Sequence, residues 1–117
     1  QSVCIDTKAN LQEVCGNVAQ QHRRFVEELE LAKELGIQLI ILTEEDKIKT
    51  LEDVADWRNP RLKYSSKAMT GQTLYKILST MEKRHGCRFL FCRKKDAAKT
   101  IVGLLTGGDG RCSRMDT

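Results

Sequence analysis

The sequence predicts an α/β domain with a parallel sheet, and three observations carry that prediction. Residues 37–43, Ile-Gln-Leu-Ile-Ile-Leu-Thr, form an almost unbroken apolar run of strand length, the pattern of a strand covered on both faces. Ser2–Lys8, Ser-Val-Cys-Ile-Asp-Thr-Lys, is a second short run, apolar and β-branched, that ends in an acid and a lysine. Between them Val18, His22, Phe25, Leu29 and Ala32 recur at spacings of four and three, one stripe of an amphipathic helix. Strand, long helix, strand is a right-handed crossover unit, so the two strands should run parallel.

The bulk properties bound this picture. A chain of 117 residues holds one modest core and not two, and 40% hydrophobic with 31% charged residues excludes wholesale disorder. A net charge of +4 permits a polyanionic partner without requiring one. Five cysteines, an odd number, come with no signal peptide and no apolar run of about 18 residues. That combination points to a reducing cytoplasm and excludes a membrane partner. No Cys-x-x-Cys pair occurs, and Cys87 and Cys92 would face opposite sides of one strand, poor geometry for zinc. The cysteines read as small buried hydrophobes, except Cys112 in the tail. The domain should span residues 1–105, with 106–117 a disordered, glycine-rich tail.

Each element has its own local reason. In the first strand Asp6 and Lys8 share a face. A carboxylate beside an ammonium at the end of a buried strand is costly to desolvate, so such a pair either closes on itself or holds a metal and a substrate. Residues 9–16 read as a polar turn or short helical stretch. Asn17 and Gln20 then offer a capping box for one long helix over residues 18–35, ended by Gly36. His22, on the apolar stripe, can either meet the Asp6–Lys8 strand or serve as a hydrogen-bonded core residue.

Glu44, Glu45 and Asp46 follow the second strand at its carboxyl end, where open α/β sheets place ligands; a solvated charge run is the plainer reading. Residues 51–57 suggest a short helix with Thr50 as its N-cap and Glu52 and Asp53 at its positive end. Residues 58–67 carry Arg58, Arg61, Lys63 and Lys67, with Trp57 and Tyr64 interleaved and the sole proline, Pro60. Basic groups with aromatic neighbours suit phosphate contact and stacking on an unpaired base, and equally a solvated loop whose tryptophan plugs the core. Thr70 opens a helix through His85 with Leu74, Ile77, Leu78 and Met81 on one side and Gly86 at its end. Residues 87–92 form a third strand, and Ala97–Leu105 a last helix with Ile101, Leu104 and Leu105 inward. The order is β-α-β-α-α-β-α.

Phosphodiester hydrolysis needs an attacking water, a cation to polarise the phosphate and neutralisation of the charge that develops. An acid and a lysine two apart on a strand supply a metal ligand and a positioned cation.

The run Cys4-Ile5-Asp6-Thr7-Lys8, followed by Leu11-Gln12-Glu13 and a helix carrying Gln21-His22-Arg23-Arg24-Phe25, resembles the XPF-type nuclease domain of the PD-(D/E)xK superfamily. It is most similar to the small single-domain versions carried by phages and mobile elements of Gram-positive bacteria. Trp57-Arg58-Asn59-Pro60-Arg61, Thr70-Gly71-Gln72-Thr73-Leu74 and Phe89-Leu90-Phe91-Cys92 extend the likeness to residues 2–105. By that resemblance Asp6 corresponds to the acid of the family's E-R-K triplet and binds Mg²⁺ or Mn²⁺. Lys8 corresponds to the lysine that positions water, and Glu13 lies near where the family carries a further acid.

The resemblance implies a three-layer, restriction-endonuclease-like sheet with flanking helices. It also implies structure-selective cleavage of branched or flap DNA in the cytoplasm of a bacterial or phage-infected cell. His22, Arg23, Arg58, Arg61, Lys63 and Lys67 are the candidate DNA contacts. Two departures qualify it: Asp stands where the pattern has Glu, and the family's second metal-binding aspartate belongs to a Gly-Asp strand upstream of Gln1. The fold is therefore expected to be N-terminally truncated, with an exposed sheet edge that favours a homodimer. A non-catalytic DNA-binding or partner-binding module of the same fold is the alternative.

Overall fold

The computed structural model describes residues 2–106. Its centre is β2 (Ile37–Glu44), in which Ile40, Ile41, Leu42 and Thr43 are buried in succession, as a strand sandwiched between layers must be. β1 (Ser2–Lys8) pairs with one side of β2 and β3 (Arg88–Cys92) with the other, both parallel, giving the order β1-β2-β3. The register sets Asp6 beside Ile41 and Lys8 beside Thr43, and across the strand Phe89 beside Ile41 and Phe91 beside Thr43. Asp6 and Lys8 therefore lie on the face that carries the main core.

That face is covered by α1 (Leu11–Ala19), α2 (His22–Glu34) and α3 (Gly71–His85). Leu11, Val14 and Val18 of the first, Phe25 and Leu29 of the second, and Leu74, Leu78 and Met81 of the third join Ile41 and Phe89 in one apolar cluster. Ile40 and Leu42 are buried on the opposite face, the side of α4 (Ala97–Leu105), whose Thr100 hydrogen-bonds Cys92. Ile101 and Leu104 of α4 are half-buried, whereas Leu105, expected inward, is 44% exposed.

The short helical stretch allowed over residues 9–16 is a helix that runs on to Ala19, and the long helix expected over residues 18–35 starts only at His22. Asn10, not Asn17, is the first cap: its Oδ1 accepts the Glu13 N–H at 3.0 Å, so α1 starts seven residues before position 18. The helix closes where the N–H groups of Gln20 and Gln21 both donate to the Gly16 carbonyl, at 2.9 and 3.2 Å. Asn17 donates its Nδ2 to Gln21 Oε1 rather than capping, and His22 begins α2. Gly36 ends this segment as expected, at φ +71°, a left-handed conformation that glycine adopts without a Cβ penalty.

Residues 51–56 form a 3₁₀ turn (Leu51–Asp56) rather than an α-helix. Asp53 ties it down by accepting from the N–H groups of Lys49 and Thr50 at 3.0 and 3.2 Å, which holds its carboxyl below the usual range. The acidic run after β2 is not merely solvated: Glu45 Oε2 accepts the Leu11 N–H at 2.8 Å, and Asp46 Oδ1 accepts the Lys94 N–H at 3.1 Å. Together they fasten the starts of α1 and of the Lys94–Asp96 turn to the end of β2.

The cysteines behave as inert small hydrophobes at two positions: burial pushes the Cys15 thiol up to about 11, and burial with the nearby Glu82 pushes Cys87 up to about 12. Cys4 departs from that expectation and is exposed, because β1 is an edge strand. Cys112 and nearly all of the expected tail lie outside the described residues. No helix among the described residues is long and apolar enough to cross a membrane.

Candidate active site

β1 and α2 diverge to leave a groove of about 690 Å³ on the core face of the sheet. α2 returns against the strand direction, so its first turns stand over the carboxyl end of β1 and its last turns over the amino end. At the carboxyl end the walls are Asp6, Lys8, Glu13, Asn17, Gln21 and Arg24; towards the amino end they are Leu31, Leu35, Ile37 and Leu39.

The Lys8 ammonium lies 3.3 Å from Asp6 Oδ2, with the lysine side chain 12% exposed and the aspartate 39%. The two partners are thus unequal. Both side chains line the groove, the lysine mostly out of water and the aspartate partly in it. Thr43, the register neighbour of Lys8, is fully buried and its hydroxyl finds no partner among the described residues. Glu13 is fixed by its position in α1, where Oε1 accepts the Ala9 N–H at 2.8 Å. That bond belongs to the helix start and leaves the second oxygen of Glu13 uncommitted.

Of the residues expected to act together, Asp6, Lys8 and Glu13 line one groove. His22 does not join them. As the first residue of α2 it faces α3, in a separate groove of about 430 Å³ with Lys76, Arg84 and His85. Arg23 stands in solvent, paired at 3.8 Å with Glu27 one turn on, an exposed pair of little energetic weight. Arg24 occupies the place expected for His22, with Glu28 as its partner at 3.8 Å. Asn17, Gln21, Arg24 and Glu28 were legible as a polar stripe at spacings of four, three and four beside the apolar stripe. The histidine on the apolar stripe was the louder signal.

Among the described residues no group of three or more His, Cys, Asp or Glu side chains converges on a metal position. Three carboxylates line the groove, Asp6, Glu13 and Glu28; Glu28 is paired with Arg24, which leaves Asp6 and Glu13 as the candidate donors. That donor set suits Mg²⁺, which keeps several waters and is often held by one or two carboxylates plus substrate phosphate.

The basic segment forms a second surface. Asn59 is 4% exposed; its Nδ2 donates to the Met69 carbonyl at 2.9 Å and its Oδ1 accepts the Arg61 N–H at 3.0 Å. Pro60 follows as the first residue of a 3₁₀ turn, Pro60–Lys63, where its fixed φ and missing N–H cost nothing. Trp57 packs against the core, as one of its two readings held, and Tyr64 does not. Asn59→Ala should lower stability by about 1–3 kcal/mol, because it strands a half-buried carbonyl and a turn N–H. Urea unfolding checks this, and an unchanged midpoint would show that the turn does not depend on Asn59.

Comparison with known proteins gives no relative: no family model, no curated protein and no solved structure matches this chain.

Proposed function

We propose that this chain is a metal-dependent DNA endonuclease, of XPF-type, restriction-endonuclease-like descent, acting on branched or flap DNA. One observation carries the reading: Lys8, whose side chain is only 12% exposed, holds its ammonium 3.3 Å from the more open Asp6 carboxylate, in a groove at the carboxyl end of a strand. Burying a cation is costly, and a groove that spends that cost beside an exposed acid suits a reaction in which negative charge develops. Asp6 and Glu13 would hold Mg²⁺ or Mn²⁺, which when bound polarises the phosphate as a Lewis acid. Lys8 orients the attacking water and stabilises the negative charge on the phosphorus oxygens. Arg24 meets the incoming phosphate at the groove wall, released from its exposed pairing with Glu28.

The test is Mg²⁺- or Mn²⁺-dependent cleavage of labelled flap and Holliday-junction DNA by the chain and its Asp6→Ala and Lys8→Met variants. Loss of at least about 100-fold in both is expected, the scale of removing one preorganised electrostatic group. A second reading, DNA binding without chemistry, is favoured because among the described residues no three His, Cys, Asp or Glu side chains converge on one metal position. Salt-sensitive binding with no cutting in either metal would establish it and end the catalytic proposal.

A further inference from the structure

The segment following Trp57 is built in an unusual way for a surface loop. It has no acidic residue from Arg58 to Lys67. None of Arg58, Arg61, Lys63 and Lys67 forms an ion pair among the described residues, although Arg23, Arg24 and Arg93 elsewhere on the surface do. The backbone that carries them is tightly wired. The Leu62 N–H donates to the Asn59 carbonyl, the N–H groups of Tyr64 and Ser65 both donate to the Arg61 carbonyl, and each bond is 3.0 Å long. The Lys67 N–H donates to Ser65 Oγ at 3.2 Å, and Asn59 anchors the whole turn to Met69. Tyr64 sits in the middle of this frame with 89% of its surface exposed, and its hydroxyl has no hydrogen-bond partner among the described residues.

An aromatic ring held in water on a rigid turn, among cations with no counter-charge, is poorly explained by stability. It contributes no burial, and like charges gathered on one turn repel one another. Both features become favourable when a nucleic-acid strand is present: the cations release counterions from phosphates, and the ring stacks on a base. Duplex DNA offers phosphates and hides its base faces inside the stack, so the ring selects an unpaired nucleotide. Arg61 and Lys67 also line a cleft of about 270 Å³ against α1, with Gln12, Gly16 and Gln20 opposite, where the backbone of such a strand can lie.

We infer that the 58–67 segment is a reader of unpaired bases, with Tyr64 as the stacking platform and Arg58, Arg61, Lys63 and Lys67 as phosphate contacts. This deepens the nuclease reading by naming the part of a flap or branch that is recognised, yet its test needs no cleavage. Fluorescence anisotropy without added metal would measure binding of a labelled single-stranded oligodeoxynucleotide and of a blunt duplex, using the chain, Tyr64→Ala, Tyr64→Phe and Arg61→Ala/Lys63→Ala.

Tyr64→Ala should weaken single-strand binding roughly 5- to 150-fold, the range measured for one base stacked on an aromatic ring. It should leave the duplex and the salt slope unchanged, and Tyr64→Phe should restore the loss. The double charge variant should instead flatten the salt dependence, by about 0.7 in slope per phosphate contact on a single strand. Equal binding by Tyr64→Ala and the parent, equal loss on duplex and single strand, or no nucleic-acid binding at all would each overturn the inference. A Tyr64-dependent preference for single strands in a chain that never cuts would sink the catalytic proposal and leave this one standing. Cutting without Tyr64 dependence would do the reverse.

Discussion

Gly71→Ala is expected to lower the melting temperature by at least about 10 °C, the largest stability loss from any single methyl group added to the described glycines. A Cβ on Gly71 would lie 2.4 Å from the Trp57 carbonyl oxygen, 2.5 Å from that of Val54 and 3.0 Å from the Trp57 nitrogen. All three are backbone atoms, so no side-chain rotation relieves the clash. Either α3 moves off the 3₁₀ turn at Leu51–Asp56 or the turn distorts. The first uncovers Leu74, which is fully buried, and the second disturbs Trp57, from which the basic segment starts. Gly103→Ala in α4 is the matched control. Among the described residues nothing beyond its chain neighbours and its own helix's backbone lies within 4 Å of its added methyl, and alanine is the better helix former by roughly 0.5–1 kcal/mol. Thermal unfolding by circular dichroism should therefore move in opposite directions for the two variants. A Gly71→Ala chain melting within a few degrees of the parent would mean that the two elements are not closely packed.

The same comparison shows why some of the fold could be read from residues and some could not. Signals that act locally were legible. Gly36 and Gly86 both end helices at φ +71°, Thr70 caps α3 through the Thr73 N–H, and the apolar run of β2 is buried on both faces. The break between α1 and α2 was hidden because burial does not register it: Val14, Val18, Phe25 and Leu29 are all in the core, and their spacings of four, seven and four fit one uninterrupted helix. The interruption is written only in backbone hydrogen bonds to Gly16 and in the Asn10 cap. The acidic run after β2 misled for a related reason. Glu45 and Asp46 bind N–H groups 34 and 48 residues away, partners that no local pattern discloses.

At the site, the two-residue periodicity of a strand was enough to place Asp6 and Lys8 on one face. It could not say which of them would be buried, since that depends on what the rest of the chain packs over each side chain. Nor could it separate His22 from Arg24, two residues apart at the start of α2. Which of them meets the groove depends on the phase at which α2 restarts after the break.

The unequal burial of that pair sets the second large effect. Asp6→Ala leaves the ammonium of Lys8, a side chain only 12% exposed, without its counter-charge, and should cost about 2 kcal/mol in urea unfolding. That is below the roughly 3–5 kcal/mol of a fully buried pair, because the aspartate end is solvated. Lys8→Met keeps the aliphatic stem in place and removes the charge, so it should be neutral or stabilising, and its remaining carboxylate is open to water. The double variant should recover most of the loss seen in Asp6→Ala, a coupling that two independent sites would not show. Cleavage should be lost in all three. Stability and activity would then diverge most at Lys8, where the charge that the proposed chemistry requires is the one that folding would be better without. Equal and small losses for Asp6→Ala and Lys8→Met, with no recovery in the double variant, would instead mark an ordinary surface ion pair and remove the physical ground for placing a reaction in this groove.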